Sequence, residues 1–361
     1  MKTFIKKITA IVLAITFAIS LTGCFPNQNG NPGDQPPKEI DNVILFIGDG
    51  MGYNHIANTK TFYRVDEYVF EKSPSCELRT ASMSFSVTDS AAAATALATG
   101  NKTNNGAIGK AQGVDVTSIS EIAKQSGKKV GIITTDYLHG ATPAGFSAHA
   151  DNRDNKEQIA TTQSASDIDL FIAKHDADYH KDYAKLYTGN GYKMVTDDQN
   201  YSSYKTEDKL VITFSDTSGK DNGGADYYQL ETLLAFAIEY LDNENGFFIM
   251  VEGAYIDKYS HSKNIYATVA EADSLFTAVE YAYGYIDENP DTVALLTADH
   301  ETGGLSRAYT YDDFRSDTLY SSGSHTGANV PLYVYNFNFA EANKICENTI
   351  VFSLCRDILQ I

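Results

Sequence analysis

The sequence predicts an α/β/α sandwich built on a mostly parallel central sheet, and two observations carry that prediction. The first is a set of four uninterrupted apolar, β-rich runs, each leading to an acid or a hydroxyl: residues 43–47 before Asp49, 130–133 toward Thr142, 247–251 before Glu252, and 293–296 before Asp299. Runs without polar alternation suit strands buried on both faces of a parallel sheet, whose sites form at the carboxyl ends of the strands. The second is that helical signals separate the runs. Ser118 and Glu121 form a capping box, with Gly127 as a helix stop before the second run. Residues 230–241 carry helical apolar spacing before the third run, and residues 265–286 before the fourth. Strand and helix alternate, as in an α/β domain.

The polar residues at the ends of these runs suggest one chemistry. Ser90 opens an alanine-rich stretch of high helix propensity, which places it at a helix N-terminus. Unpaired N–H groups there favour a phosphate, and a nearby metal would favour the alkoxide. Alone, the serine reads more readily as a helix cap. Asp257 and His261, four residues apart, share one face of a helix and suit a single zinc. Asp299-His300 follows a strand, and His325 lies in a loop between Gly323 and Gly327 that can approach ions closely. Each pattern is weak alone; together they describe a metal-assisted phosphate site.

In order and spacing these segments resemble the alkaline phosphatase family. The resemblance runs over roughly residues 41–357 and is carried by residues 42–52, Thr88-Asp89-Ser90-Ala91-Ala92, Ala141-Thr142-Pro143-Ala144 with His149 and Arg153, residues 251–258 with His261, residues 298–304, and His325-Thr326-Gly327. It implies a phosphomonoesterase with two zinc ions and one magnesium ion. One zinc would take Asp257, His261 and His325, and the other Asp49, Asp299 and His300, close to Ser90. Magnesium would take the oxygen set Asp49, Thr142 and Glu252. Ser90 would be the nucleophile, Arg153 would grip phosphate through its planar fork, and Lys258 would face the substrate. Many relatives are dimers, so a homodimer is compatible with the resemblance.

Two departures stand out. The family usually carries an aspartate or histidine two residues before the threonine, often paired with a lysine, where this chain has Gly140. The expectations are that Lys258 is left freer to face phosphate, that His139 swings in, or that water fills the gap. The segment 154–225, rich in Asp, Tyr, Lys and Ser, is variable. Within it His175, Asp176, Asp178 and His180 read as a solvated loop in preference to an extra metal site.

Residues 1–23 combine Lys2, Lys6 and Lys7 with an apolar stretch and end just before Cys24, the pattern of a secretory signal, and they resemble a bacterial lipoprotein leader. Lipid on Cys24 would anchor the protein to a membrane outside the cytoplasm. Residues 24–39 hold four of the eight prolines and read as a tether; residues 40–361 form the catalytic domain. Export would permit a bridge between Cys346 and Cys355, leaving Cys76 buried or unpaired. A formal charge of −19 repels nucleic acid and anionic membranes, so attraction for phosphate esters must be local. Two readings compete with the monoesterase. One is a phosphodiesterase or sulfatase of the same superfamily, and the other is a noncatalytic phosphate-binding lipoprotein.

Overall fold

The computed structural model describes residues 40–197, 200–215, 229–315 and 318–361. The leader, Cys24 and the tether lie outside the described residues. Among those described, no helix is long and apolar enough to cross a membrane.

The four apolar runs are strands, and all four are central. β1 (Asn42–Gly48), β5 (Lys129–Tyr137), β9 (Phe247–Gly253) and β10 (Thr292–Ala298) lie side by side in the order β10-β1-β9-β5, all parallel. Every residue of β1, β9 and β10 is buried, which explains why their sequences lack polar alternation. The sheet continues past β5 through β6 (Leu170–Lys174), β8 (Leu210–Phe214) and β7 (Lys193–Thr196), again parallel. Past β10 come β13 (Val330–Tyr335), β2 (Ser75–Arg79) and β14 (Ile345–Glu347), of which β13 alone runs against its neighbours. The two-stranded ribbons β3 (Lys110–Ala111) with β4 (Val114–Asp115), and β11 (Glu301–Thr302) with β12 (His325–Thr326), stand outside this sheet.

Helices cover both faces. On one side α9 (Ile265–Glu288) packs against β1, β9 and β10, and is flanked by α1 (Tyr53–Tyr63), α7 (Leu230–Leu241) and α8 (Tyr255–His261). On the other, α2 (Ser90–Thr99), α3 (Ile119–Gln125), α4 (Ala141–Ser147) and α10 (Ile350–Leu359) contact one another and the sheet. The capping box at Ser118 is formed, and Gly127, with φ +81, follows the end of α3.

The variable segment is more ordered than its composition suggests. It supplies α5 (Lys156–Ser164), β6, α6 (Ala177–Gly189), β7 and β8. Asp176 is the N-cap of α6, accepting from the N–H groups of Asp178 and Tyr179, and its side chain also binds His139 and Lys156. The expected solvated loop is therefore a helix start, and His139 is turned toward α6. The Cys346–Cys355 bridge is not formed. Cys355 is buried in α10, whereas Cys346 on β14 lies against the buried Cys76 of β2.

Candidate active site

The predicted residues converge at the carboxyl ends of β1, β9 and β10. Asp49 follows β1, Glu252 is the penultimate residue of β9, and Asp299-His300 follows β10. Two loops close the arrangement. Gly50, at φ +74, passes so near α8 that a Cβ there would lie 2.8 Å from Thr302 Oγ1 and 3.0 Å from Asp257 Cα, so only glycine lets Asp49 and Asp257 approach each other. Pairing of Thr302 with His325 in the β11–β12 ribbon brings in the last histidine, and Glu301 braces that ribbon by accepting from Thr326 and from the N–H groups of Gly304 and Leu305.

Ser90 is the first residue of α2. The cap is Asp89, whose Oδ1 accepts from the Ala92 N–H at 3.0 Å, so the serine hydroxyl is not consumed as a cap. Ser90 Oγ instead lies 3.3 Å from His300 Nε2. Arg153 is held beside it, with Nη1 3.4 Å from Asp89 Oδ2, and its charge acts on Asp49, His261 and His300.

The three histidines are set in one tautomer by their outer partners. His261 Nδ1 donates to the Gly323 carbonyl at 2.7 Å, and His325 Nδ1 donates to the Thr88 carbonyl at 3.0 Å. Carbonyls only accept, so Nδ1 carries the hydrogen and Nε2 faces inward. Thr302 Oγ1 donates to Asp257 Oδ1 at 2.5 Å and is left to accept from His300 Nδ1 at 3.3 Å. Inside, His261 Nε2 and His325 Nε2 are 3.1 Å apart and lie 3.2 and 3.4 Å from Asp257 Oδ1. His300 Nε2 is 3.1 Å from Asp299 Oδ2 and 3.6 Å from Asp49 Oδ1.

Among the described residues, two groups have ligand atoms within 4.8 Å of one another: Asp257, His261 and His325, and Asp49, Asp257 and His300. Among the described residues, buried Asp49 Oδ1 and Asp299 Oδ2 have no hydrogen-bond partner, although buried polar atoms ordinarily find one. Burial, followed by the charges of Asp299, Asp257 and Glu252, raises the Asp49 carboxyl well above the carboxylate range. Burial, followed by the charge of Asp136, pushes Glu252 up to about 8. Orphaned oxygens and crowded carboxylates are what a cation relieves, so the donor sets fit the expected metals. Nitrogen and oxygen donors at Asp257, His261, His325, Asp49, Asp299 and His300 suit zinc; the all-oxygen set of Asp49, Thr142 and Glu252 suits magnesium.

Lys258 differs from expectation. Its ammonium is bound to Asp136 and is not turned freely toward the nucleophile. Sequence reasoning also missed Thr134, which donates to Glu252 Oε2, and Thr302. The available signal was the polar triplet Thr134-Thr135-Asp136 closing an otherwise apolar strand.

The family model described as alkaline phosphatase matches residues 40–179 and 169–312. Alkaline phosphatase 4 of Bacillus subtilis (strain 168) is 32% identical over 295 residues, which are 75% of this chain and 64% of that protein, so the chain spans just under two thirds of its length. Alkaline phosphatase 3 of the same organism is 31% identical over 333 residues, 85% of this chain and 71% of that protein. Among solved structures, alkaline phosphatase from the Antarctic bacterium TAB5 matches with a TM-score of 0.79 at 29% identity, over 90% of this chain and 99% of that one. A mutant of the TAB5 protein has Mg bound in the M3 site.

Proposed function

The chain belongs to the alkaline phosphatase family, and from that premise we propose that it hydrolyses phosphate monoesters through a phosphoserine on Ser90, using two zinc ions and one magnesium ion. The observation that carries the reading is the uncapped Ser90 hydroxyl, at the N-terminus of α2 and 3.3 Å from His300 Nε2, inside a ring of inward-facing imidazole nitrogens and unpartnered carboxylate oxygens.

Arg153, tethered to the residue preceding the nucleophile, presents two N–H donors to two phosphate oxygens and orients the ester. Ser90 gives up its hydroxyl proton to solvent and Oγ attacks phosphorus in line with the ester oxygen; the new Oγ–P bond forms as the old O–P bond breaks, and the departing alkoxide takes a proton back from water. The N–H groups at the start of α2 stabilise charge on the transferring group. Water then cleaves Oγ–P, releasing phosphate and restoring the serine. Bound metals would supply Lewis-acid stabilisation of both oxygens and lower the pKa of the serine hydroxyl and of the attacking water. Asp257, His261 and His325 would hold one zinc, Asp49, Asp299 and His300 the other, and Asp49, Thr142 and Glu252 magnesium.

The test is hydrolysis of p-nitrophenyl phosphate beside its bis-ester, with chelator and with restored zinc and magnesium, on wild type and Ser90→Ala. The reading expects chelator-sensitive monoester turnover that metals restore, and a loss of roughly 10⁴-fold or more in kcat for the serine variant. Preferential bis-ester turnover would favour a diesterase, and metal-loaded protein without turnover would favour a phosphate-binding lipoprotein. We also propose export with lipid on Cys24, supported by the lysine-rich leader and its apolar stretch. Cys24→Ala should then release activity from the membrane fraction, and retention of that activity would overturn the anchor.

A further inference from the structure

Gly140 precedes α4 with φ −56 and ψ 156, a conformation open to any L-residue, so the backbone does not explain the glycine. Space does. A Cβ there would lie 2.5 Å from Asp136 Oδ2 and 3.0 Å from Tyr137 O. The Asp136 carboxylate fills the volume that a side chain at 140 would take, while its other oxygen, Oδ1, accepts from Lys258 Nζ. The N–H of Asp136 donates to Thr134 Oγ1 at 2.9 Å, and that hydroxyl donates to Glu252 Oε2. One residue of β5 therefore engages a cation on α8 and, through a hydroxyl, a buried carboxylate on β9.

The arrangement matters because Lys258 is also close enough to Glu252 to act on its carboxyl. If Asp136 were removed, the ammonium would be left to the other carboxylates it acts on, Glu252 and Glu271, and at Glu252 it would compete with a divalent ion for the same oxygens. We propose that Asp136 is a positioning residue of the all-oxygen cation seat, diverting Lys258 from Glu252, and that Gly140 is the companion residue that makes room for it. The inference rests on the proposed function only in assigning a divalent cation to that seat. It also changes the meaning of the departure at 140, since the carboxylate arrives from four residues upstream and any side chain at 140 would push it from that place.

The experiment uses the full chain, zinc-loaded, titrated with Mg²⁺ and read by the rise in Tm and by p-nitrophenyl phosphate turnover. Wild type is compared with Asp136→Ala, Asp136→Asn, Gly140→Asp and the double variant Asp136→Gly/Gly140→Asp, with the metal-free Tm of each confirming that it folds. Asp136→Ala and Gly140→Asp should each raise the half-saturating Mg²⁺ concentration ~10-fold or more, the usual range for groups that orient ligands. Asp136→Asn, which keeps the volume and loses the charge, should move it the same way. The double variant, with a carboxylate restored to the same space from the other position, should return to within roughly 3-fold of wild type, a non-additivity expected only of directly coupled residues. Additive loss in the double variant, or wild-type Mg²⁺ saturation in Asp136→Ala, would overturn the proposal. Mg²⁺ binding with this pattern but no ester turnover would sink the proposed function and leave this inference standing. Normal turnover with identical Mg²⁺ saturation in every variant would do the reverse.

Discussion

At one end of the site His261, His325 and His300 surround Asp257 with their Nε2 atoms facing in; at the other lies the oxygen set, where Glu252 acts on the carboxyl of Asp49 and is hydrogen-bonded by Thr142. The two ends are held differently. Each imidazole is fixed from outside by a carbonyl or hydroxyl, and Asp257 accepts from Thr302, so that end is organised by hydrogen bonds even before an ion arrives. The oxygen pocket sets carboxylates close together in a buried place, and its order depends on Thr134, Asp136 and Lys258. Nitrogen donors can be aimed by a second hydrogen bond on the same ring, whereas carboxylates repel one another and need an opposing charge.

The sharpest way to break this contrast is at Asp257, the carboxylate that both His261 and His325 face. Asp257→Asn should lower kcat ~10³-fold or more and reduce bound zinc as counted by elemental analysis. The Mg²⁺-dependent rise in Tm should survive, because the oxygen set does not include that residue. Loss of both responses together would mean that the two ends are one cooperative unit.

A smaller effect is expected from the outer partner. Thr302→Val removes a donor to Asp257 and an acceptor from His300, and zinc affinity measured by competition with a chelator should fall ~10-fold to 100-fold. Unchanged affinity would mean that the backbone carbonyls alone set the imidazoles.

Metal removal should expose a pH dependence. Burial raises the proton affinity of Asp49 and Glu252 in the folded chain, Glu252 to about 8, and the hydrogen bond that a protonated His261 donates to Asp257 is the main cause that raises His261 to about 9. A raised folded pKa gives stability that is complete below the unfolded value and is lost as pH climbs through the folded value. Chelated protein should therefore lose Tm between pH 6 and pH 9, and the gap to metal-loaded protein should widen by roughly 5 °C. A constant gap across that range would show that protons and metals do not compete for these groups.

How much of this was legible in the sequence follows from what each residue needed. β1, β5, β9 and β10 announce themselves because burial on both faces leaves an uninterrupted apolar run in each, and α3 because its capping box is local. Asp49, Asp299 and His300 were readable because they end such runs. The roles of Asp136, Thr134 and Thr302 were not, since a hydroxyl at a strand end has meaning only once another strand or helix is placed beside it. The segment 154–225 misled because its polar composition hides three short strands, β6, β7 and β8, that complete one flank of the sheet. The cysteines misled in the same way: the neighbours of Cys346 are set by the pairing of β14 with β2, which sequence proximity to Cys355 does not reveal.

The direction of β1 has a practical consequence. Asn42 begins the strand and Asp49 follows its end, so seven extended residues, about 20 Å, separate the place where the backbone joins the sheet from the reactive pole. The join is firm, because Lys128 Nζ donates to the Asp41 carbonyl at 3.0 Å and the Asp41 N–H donates to the Asp291 carbonyl at 2.9 Å. A bead, electrode or chip coupled through residue 40 would therefore grip the molecule at its base and leave the mouth of the site open to the bath.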